Sequence, residues 1–527
     1  MKRVLSIILA AAMLCCILAL AACKNKDTPT TVPTDSTAVT TNPTTAPTGS
    51  TAATTNPTTA PTGSTAATTN SSTTPEKPIG EYKRPGFEDV DFDGKVFTIA
   101  VPVGKGDGWD NYDIAPDDEN SPDPLDQAIL KRNKTIEELY NCKIVQKSSA
   151  NPIGELESDF ATGKNTIDMV ADRYALPTFS DGNFYNVNNL NLDLTKEWFD
   201  QGFVRDMTID GKLYALCGDF SIESFEATWA MFVNLDVLEK SEKIKDVNIF
   251  DLVRNHEWTL DKMLELCRYA QINGGSEKMT LDDPEDVFGL ISSSEQIIGL
   301  YIGGGNVFVS KTDDENGNSS FEYGENSEPT IDTTDLIIEI VFDPSVSIPQ
   351  SYIKVSSAFQ NGQTLFASGV MSQAKNFAKS GVKFSVIPEP LLNTEQKTYY
   401  HHVDNHASYY AVPKTCSDID VISDFIELLA YHSRFISYRE YLNLYKDTYS
   451  FAGEDSYDMF DIIAHNRRYD AGYELQCGGF AQTYAYNVLA GPNTIPEPIY
   501  PKFDRILQEA AKAYKEKINS YNDGIAS

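Results

Sequence analysis

The chain has few basic residues and few cysteines for its 527 residues. Its 43 lysines and arginines stand against 76 aspartates and glutamates, and the formal net charge at pH 7 is −33. Nucleic-acid binding depends on Lys and Arg side chains that neutralise phosphates, so this composition argues against a nucleic-acid partner. It argues equally against direct adhesion to anionic lipid headgroups.

The signatures of several enzyme classes are missing as well. The sequence has no P-loop, no G-x-S-x-G and no H-E-x-x-H motif. A glycine-rich run at 104–108 follows a predicted strand, but the residues after it are acidic and non-helical, so no helix N-terminus would face a phosphate. The sequence contains so many Asp and Glu residues that no particular pair can be identified as the two catalytic carboxyls of a glycosidase. The sequence predicts a protein that is not an enzyme and needs no cofactor.

Cysteines are few and widely spaced, and no C-x-x-C pair occurs, so neither a zinc knuckle nor a redox pair is indicated. Of the eight, Cys15 and Cys16 precede Cys23 in the N-terminal segment, and five lie further on. These five are Cys142, Cys217, Cys267, Cys416 and Cys477. An odd number of cysteines at wide spacing favours buried free thiols. One disulfide among the five is the alternative.

The segment 401–406 (HHVDNH) is a weak candidate for metal binding. On a strand, His402, Asp404 and His406 would point to one face, which is a plausible ligand set. Three ligands without a fourth are a poor match to known sites, so packing at a hinge is the interpretation we favour. No metal site is predicted.

The one long apolar run is at the N-terminus. Residues 4–20 are apolar except for one serine, and they follow Lys2 and Arg3, as in a secretory signal peptide. An uncleaved anchor is the alternative, because the run is near the lower limit for a bilayer span. The stretch 20–23 (LAAC) resembles the lipobox of bacterial lipoproteins, in which the cysteine is acylated. The resemblance implies a signal peptide at 1–22 and a lipid anchor on Cys23, at the outer face of the cell membrane.

Residues 23–80 are predicted to be a disordered tether. The stretch 27–75 is almost entirely Thr, Pro, Ala, Ser, Gly and Asn, and Thr40–Ala53 recurs without change as Thr54–Ala67. Such a repeat has no apolar face to bury, so it cannot form a packed core. Its composition is typical of an extended stalk that can carry O-glycans.

The rest of the chain is long enough for two lobes. Strands and helices alternate in its first part, which predicts βαβ units and a largely parallel sheet. These elements are the strands 96–101, 142–145 and 167–171 and the helices 124–140 and 153–161. After a loop at 183–191, further strands are predicted at 211–217, 228–233, 364–367, 383–387 and 409–412. Further helices are predicted from residue 234 and at 260–272 (capped by Thr259), 371–379, 419–432 and 503–518.

Seven short motifs follow one another between residues 126 and 414. They are DQAILKRNKTIEELYNCKI (126–144), IDMV (167–170), GKLYAL (211–216), WTLDKM (258–263), FQNGQTLF (359–366), FSVIPEP (384–390) and YYAVPK (409–414). In this order they resemble extracellular solute-binding protein family 1, the maltose-binding-protein-like proteins of carbohydrate ABC transport.

The resemblance implies an α/β fold of the two-lobed periplasmic-binding-protein type II, with a hinge between the lobes. The first lobe would span about 94–226 and 408–435, and the second about 229–404 and 436–527. The chain would cross near 223–228 and return near 400–408. Ligand would bind in the cleft between the lobes, and hinge closure would bury it.

A cleft that binds sugars needs aromatic faces for the rings and polar side chains for the hydroxyls. Candidate substrate-binding residues follow predicted strands or flank the two crossings. They are Asp107, Trp109, Tyr112, Asp172, Arg173, Asp219, Glu223, Trp229, Tyr301, His406, Tyr409 and Tyr410. For each of them, core packing or a solvated loop is the alternative.

The resemblance also implies a function. The chain would be the membrane-anchored solute-binding protein of an ABC importer, which captures a sugar or oligosaccharide and delivers it to the permease subunits. We expect it to act as a monomer. Two alternatives stay open: a stalk-anchored secreted glycan hydrolase, and a binding lipoprotein for peptides or another polar solute.

Overall fold

The computed structural model describes residues 77–106, 108–173, 175–179, 182–323, 327–349, 352–447, 453–475 and 480–490. Several predicted features lie outside the described residues. They are the signal peptide, the lipid-accepting Cys23, the tether up to residue 76, Asp107, Cys477 and the helix at 503–518.

The strands are short and are spread along the whole described chain. They are β1 (Lys95–Pro102), β2 (Cys142–Ser149), β3 (Met169–Arg173), β4 (Trp229–Asn234), β5 (Phe288–Ser292), β6 (Val309–Asp313), β7 (Ser319–Tyr323), β8 (Ser347–Pro349), β9 (Thr364–Val370), β10 (Phe384–Ile387), β11 (His401–His402), β12 (Ser408–Ala411) and β13 (Arg467–Arg468).

Helices connect most of these strands. They are α1 (Pro124–Tyr140), α2 (Pro152–Ala161), α3 (Leu176–Phe179), α4 (Gln201–Met207), α5 (Ile222–Glu226), α6 (Leu235–Lys240), α7 (Ile249–Arg254), α8 (Leu260–Ala270), α9 (Ser294–Gly303), α10 (Glu328–Phe342), α11 (Tyr352–Gln360), α12 (Gln373–Ser380), α13 (Ile419–Phe435), α14 (Ser437–Asp447), α15 (Asp455–His465), α16 (Ala471–Glu474) and α17 (Phe480–Ala490). Two 3₁₀ turns lie at Ile79–Glu81 and Val187–Asn189.

A four-stranded sheet in the order β12–β3–β1–β2 is the centre of what we call the first lobe. β1 runs parallel to β2 and β3, and β12 runs antiparallel to β3. Phe97 on β1 is fully buried, and its ring stacks on Phe425 of α13 at 3.9 Å. Because β1 and β3 are parallel, the loops that follow them leave the same edge of the sheet, where α/β proteins bind ligands.

The sequence fixes the ends of α1 directly. Asp123 precedes the helix, and its side chain accepts a hydrogen bond from the backbone N–H of Leu125, while Pro124 occupies the first helical position. At the other end Asn141 adopts a left-handed conformation with φ 53°, which stops the helix before β2. The N-terminus of α1 therefore lies at the edge where β1 ends.

A five-stranded mixed sheet in the order β10–β4–β9–β5–β8 is the centre of the second lobe. Helices pack on both faces of this sheet, so the side chains on both faces of its strands are buried and mostly apolar. On β4, Phe232 packs with Phe359, Phe377 and Phe384 on one face, and Met231 packs on the other face in the cluster that holds the fully buried Trp258. Burial on both sides explains why this segment is a continuous apolar run.

Two chain segments cross between the lobes side by side. The backbone N–H of Asp404 donates to the carbonyl of Ala227 at 2.8 Å, and Thr228 forms an isolated antiparallel bridge with Val403. The Trp229 indole N–H donates to the Asp404 carboxylate at 3.0 Å. The predicted lobe boundaries stay predictions, but these contacts define a hinge made of two paired strands.

Most of the predicted elements are confirmed. The helix at 124–140 has the bounds of α1, and Thr259 caps α8 by accepting a hydrogen bond from the Lys262 N–H at 3.2 Å. The predicted end of that helix at 272 is wrong by two residues, because Ile272 leaves the helix to pair with Val287. The loop predicted at 183–191 contains only one 3₁₀ turn.

The strand predicted at 211–217 is wrong. This apolar segment is buried, but it makes only single bridges, one of them between Leu216 and Tyr410. The helix predicted from Met371 starts at Gln373, because the Met371 and Ser372 N–H groups donate to carbonyls of the first crossing. Both differences arise from tertiary hydrogen bonds that local sequence does not encode.

No described helix is long and apolar enough to cross a membrane. The four cysteines within the described ranges, Cys142, Cys217, Cys267 and Cys416, are buried free thiols.

Removing the cap of α8 tests whether the second lobe depends on this helix start. Thr259→Ala should lower the free energy of unfolding by about 1 kcal/mol, since it leaves the Lys262 N–H without its partner. Thr135→Ala, on the exposed side of α1, is the matched control and should change stability by less than about 0.5 kcal/mol. Urea denaturation followed by circular dichroism measures both, and equal effects would contradict the assignment.

Candidate ligand-binding cleft

A cleft of about 470 Å³ opens between the two lobes. The loop after β1 and the start of α1 form one wall, the end of β9 and the start of α12 form the other, and α5 of the first crossing lies at the floor. The lining residues are Gly108, Trp109, Asp110, Tyr112, Asp113, Asp123, Leu125, Asp126, Ile129, Ile222, Glu223, Glu226, Val370, Ser372, Gln373, Lys375 and Asn376.

One ion pair joins the two walls directly. Lys375 on α12 donates to the Asp123 carboxylate at 2.8 Å, across the cleft. Burial opposes ionisation of Asp123, but the hydrogen bonds from Lys375 and from the Leu125 N–H outweigh it and lower the pKa of the carboxyl. The residue that caps α1 therefore also holds the second lobe against the first.

Four buried polar side chains, which we call the floor cluster, lie under the cleft: Asn111, Asp113, Glu223 and Tyr410. The Asn111 amide donates to a Glu223 oxygen at 3.0 Å and to an Asp113 oxygen at 3.3 Å. The Tyr410 hydroxyl donates to Asp113 at 3.2 Å, and the Glu223 backbone N–H donates to the other Asp113 oxygen at 3.0 Å. These bonds tie the loop after β1 to the first crossing and to β12.

Burial makes ionisation of the floor carboxyls costly. It raises the pKa of Glu223 to about 8, and the neighbouring Asp113 adds to the effect. Burial also raises the pKa of Asp113 to about 6 and that of Glu226 to about 7, against lowering contributions from Arg132 and Lys375 respectively. At neutral pH the floor therefore carries less charge than its composition implies.

Trp109 presents an aromatic surface at the first wall. Its ring stacks on His406 with centroids 5.5 Å apart and an interplanar angle of 17°. His406 is held in turn by Asp404, whose carboxylate lies 2.6 Å from the imidazole Nδ1. Asp404 belongs to the return crossing, so the hinge supports the orientation of this aromatic face.

Of the residues predicted from sequence, the structure brings Trp109, Tyr112 and Glu223 to the cleft lining. His406 lies behind Trp109, and Tyr410 belongs to the floor cluster. Asp107 lies outside the described residues.

The other predicted site residues are engaged in packing or ion pairs away from the lining. Asp172 pairs with Lys105, and the neighbouring Arg173 is buried. Asp219 is buried and pairs with Arg434 at 3.2 Å. The remaining members are aromatic: Trp229 stacks on His402, Tyr301 stacks on Phe308, and the Tyr409 hydroxyl donates to Glu474.

Sequence reasoning missed most of the polar lining. Asp113, Asp123, Asp126, Glu226 and Lys375 were not predicted as site residues, although each lines the cleft. The signal available for Asp123 was its position before a Pro at a helix start, which places it at the strand-end edge of the sheet. For Lys375 the sequence offers no signal, because its role depends on the approach of the second lobe.

No group of three or more His, Cys, Asp or Glu side chains within the described ranges is arranged to hold a metal ion. In the segment proposed as a weak metal candidate, His401 and His402 form a short strand that pairs with β13, and burial lowers the pKa of these two histidines to about 4 and about 3.

Solved structures with a similar fold include three sugar complexes. An ABC substrate-binding protein from Listeria monocytogenes with cycloalternan shares 14% identity at a TM-score of 0.50, over 80% of this chain and 100% of that chain. The maltose-binding periplasmic protein of the same organism, with maltose, shares 12% identity at 0.51, over 81% and 99%. A cyclo/maltodextrin-binding protein with maltotetraose shares 14% identity at 0.51, over 81% and 99%.

No family model and no curated protein matches the chain. At these identities the structural likeness establishes the fold. The chain has the predicted two-lobed α/β fold of the periplasmic-binding-protein type.

The raised carboxyl pKa values predict how stability depends on pH. Glu223 keeps its proton in the folded protein up to about pH 8 but ionises in the unfolded chain above about 4.5, so the free energy of unfolding should fall as pH rises from 6.5 to 8.5. Glu226, with its pKa raised to about 7, acts in the same direction. Burial lowers the pKa of His401 to about 4, so this histidine changes the free energy of unfolding only below about pH 6.5.

Thermal unfolding from pH 6.5 to 8.5 measures this dependence. Glu223→Gln cannot ionise, so the variant should lose less stability across the window than the native protein. Glu138→Gln, at an exposed position near the far end of α1, should follow the native curve. Parallel curves for the native protein and Glu223→Gln would mean that burial of Glu223 does not control the dependence.

Proposed function

We propose that this chain is a solute-binding protein of an ABC importer, anchored by a lipid on Cys23, that captures a sugar or oligosaccharide between its lobes. The observation that carries the proposal is the cleft itself, with a wall from each lobe and a floor from the hinge. Its volume of about 470 Å³ lies within the range of ordinary small-molecule sites.

The side chains around the cleft suit a polyhydroxylated ligand. Trp109 offers a flat apolar face for a sugar ring, and its stack on His406 fixes the orientation of that face. Gln373 and Asn376 on the opposite wall, with the carboxylates of the floor, supply donors and acceptors for hydroxyl groups. Trp109, Tyr112 and Glu223 are the predicted residues that we retain as ligand contacts.

The hinge geometry suits opening and closing. The paired crossing segments lie beside the floor of the cleft, so a change of backbone angles near Ala227 and Asp404 would move the walls apart and separate the Asp123–Lys375 pair. A ligand that contacts both walls would favour the closed form by its differential affinity for that form. Closure would then be the state that the permease recognises.

Residues 80–84 pack on the first lobe. The Arg84 guanidinium pairs with Glu427 of α13 at 2.5 Å, and the Gly80 carbonyl contacts His432 of the same helix. The signal peptide, the lipid anchor, the permease partner and the monomeric state rest on the sequence. Residues 81–527 would be the solute-binding domain, divided into lobes as predicted.

The glycan hydrolase is the second candidate, because the floor holds two buried carboxyls with raised pKa values. Their geometry favours binding over hydrolysis. Both Asp113 oxygens accept hydrogen bonds from protein donors, so Asp113 and Glu223 do not form a free carboxyl pair. The other buried carboxyl of the lining, Glu226, lies one turn from Glu223 on the same face of α5 and not on the opposite side of a bound glycan. A glycosidase needs two carboxyl groups at the scissile bond.

Thermal unfolding of the mature chain against oligosaccharides, peptides and polyamines tests the function. A ligand present at about a hundred times its dissociation constant should add ~2.7 kcal/mol to the stability of the folded state. Stabilisation by a sugar that is recovered unchanged would support the transport function. Consumption of the sugar would point to the hydrolase, and stabilisation by a peptide alone would remove the carbohydrate assignment.

Trp109→Ala should weaken binding of the stabilising sugar roughly tenfold, because it removes the stacking face. Phe160→Ala, which removes an exposed aromatic ring on α2, is the matched control and should leave affinity unchanged. Isothermal titration calorimetry measures both. Unchanged affinity for Trp109→Ala would place the ligand away from this wall.

A further inference from the structure

Carboxylates dominate the cleft far more than they dominate the chain. Among the described lining residues, six side chains are acidic and one, Lys375, is basic. The whole chain has 76 acidic and 43 basic residues, so an evenly acidic surface would not produce this ratio. Two buried arginines outside the lining, Arg132 and Arg173, interact with the floor carboxyls and offset part of this excess.

Glu223 and Glu226 lie one turn apart on α5, and both line the cleft. Residues three apart on a helix share one face, so the two carboxyls point to the same space, where their charges would repel if both were ionised. No described residue donates a hydrogen bond to the Glu226 carboxyl, and the nearest balancing charge is that of Lys375. Lys375 is already engaged with Asp123.

One acceptor atom is left without a partner at this point. Glu223 is 5% exposed, and its Oε2 accepts from Asn111 and from the Ser408 N–H, but its Oε1 has no hydrogen-bond partner among the described residues. A buried acceptor without a donor costs free energy that a bound donor recovers. Both Glu223 and Trp109 line the cleft.

We propose that the solute captured in this cleft carries a positive charge, an ammonium group that binds between Glu223 and Glu226 while its apolar or ring portion lies against Trp109. This inference rests on the proposed function and narrows its ligand class. An ammonium group supplies the donor that Glu223 Oε1 lacks, and its charge favours ionisation of both carboxyls on α5 by offsetting their repulsion. Trp109 adds a cation–π contribution that neutral sugars do not receive.

Amino sugars and linear polyamines both present this chemistry. The aromatic face and the polar second wall favour the amino sugar, because a ring with hydroxyl groups uses both. Glucosamine trisaccharide, its N-acetylated counterpart and spermidine separate the cases. The first two share the same ring and length and differ in charge, and spermidine carries charge without a ring.

Isothermal titration calorimetry of the mature chain at pH 7, where Glu226 is partly ionised, is the test with these three probes. Glucosamine trisaccharide should bind at least roughly tenfold more tightly than the N-acetylated form, as expected for charge-assisted hydrogen bonds. Glu226→Gln should reduce the affinity for glucosamine trisaccharide roughly tenfold and so remove most of its advantage over the N-acetylated form. Glu138→Gln, which removes the same charge from an exposed site, should change neither.

Spermidine could bind more tightly than the amino sugar and lose the same factor of affinity in Glu226→Gln. This result would confirm the cation site and identify a polyamine, and not an amino sugar, as the solute that carries the ammonium group. Equal or tighter binding of the N-acetylated or another neutral sugar would overturn the inference while the transport function stands. Cation binding that Glu226→Gln leaves unchanged would also overturn it, and so would the absence of binding by every charged probe.

Discussion

The pairing of two chain crossings is the constraint on which the rest of the molecule depends. The Asp404 N–H bond to Ala227 and the bridge between Thr228 and Val403 fix where the lobes meet. The same segments carry Glu223 and Glu226 on one side and His406 on the other. A ligand at the floor of the cleft would therefore contact the hinge itself, and this links occupancy to the relative position of the lobes.

The floor of the cleft is costly to fold. Glu223 and Asp113 are buried together, and burial raises both pKa values against the lowering effect of surrounding hydrogen bonds. Replacing such a cluster by apolar side chains of similar volume is often neutral or stabilising in proteins. Its presence at the floor of the cleft favours a role in binding over a role in stability. Local rules of folding are commonly broken at functional sites.

Much of the architecture could be predicted from sequence. The cap and stop signals around α1 and the alternation of strands and helices over 95–173 are local, and they yield the parallel sheet. The helix α9 was missed because it is buried all round: from Gln296 to Gly303 every residue is buried, so no amphipathic period exists to detect. The β6–β7 hairpin, an edge element, was missed as well.

The site was less predictable than the fold. Trp109 and Glu223 could be anticipated because they follow a strand and precede a crossing, positions that the topology brings to the cleft. Tyr301 has a similar sequence context but packs between Phe308 and Tyr484 in the core. Lys375 and Asp123 are 252 positions apart, and their pairing exists only because the lobes meet. Aromatic and charged residues serve cores and clefts equally well, so type alone does not separate them.

Hydrogen–deuterium exchange of the mature chain, with and without a stabilising solute, tests the central claim that ligand is held between the lobes. Exchange should slow at 108–126 in the first lobe, at 370–376 in the second and at 223–228 in the crossing, all in the same titration. Protection confined to one wall, or protection elsewhere with these three segments unchanged, would contradict it.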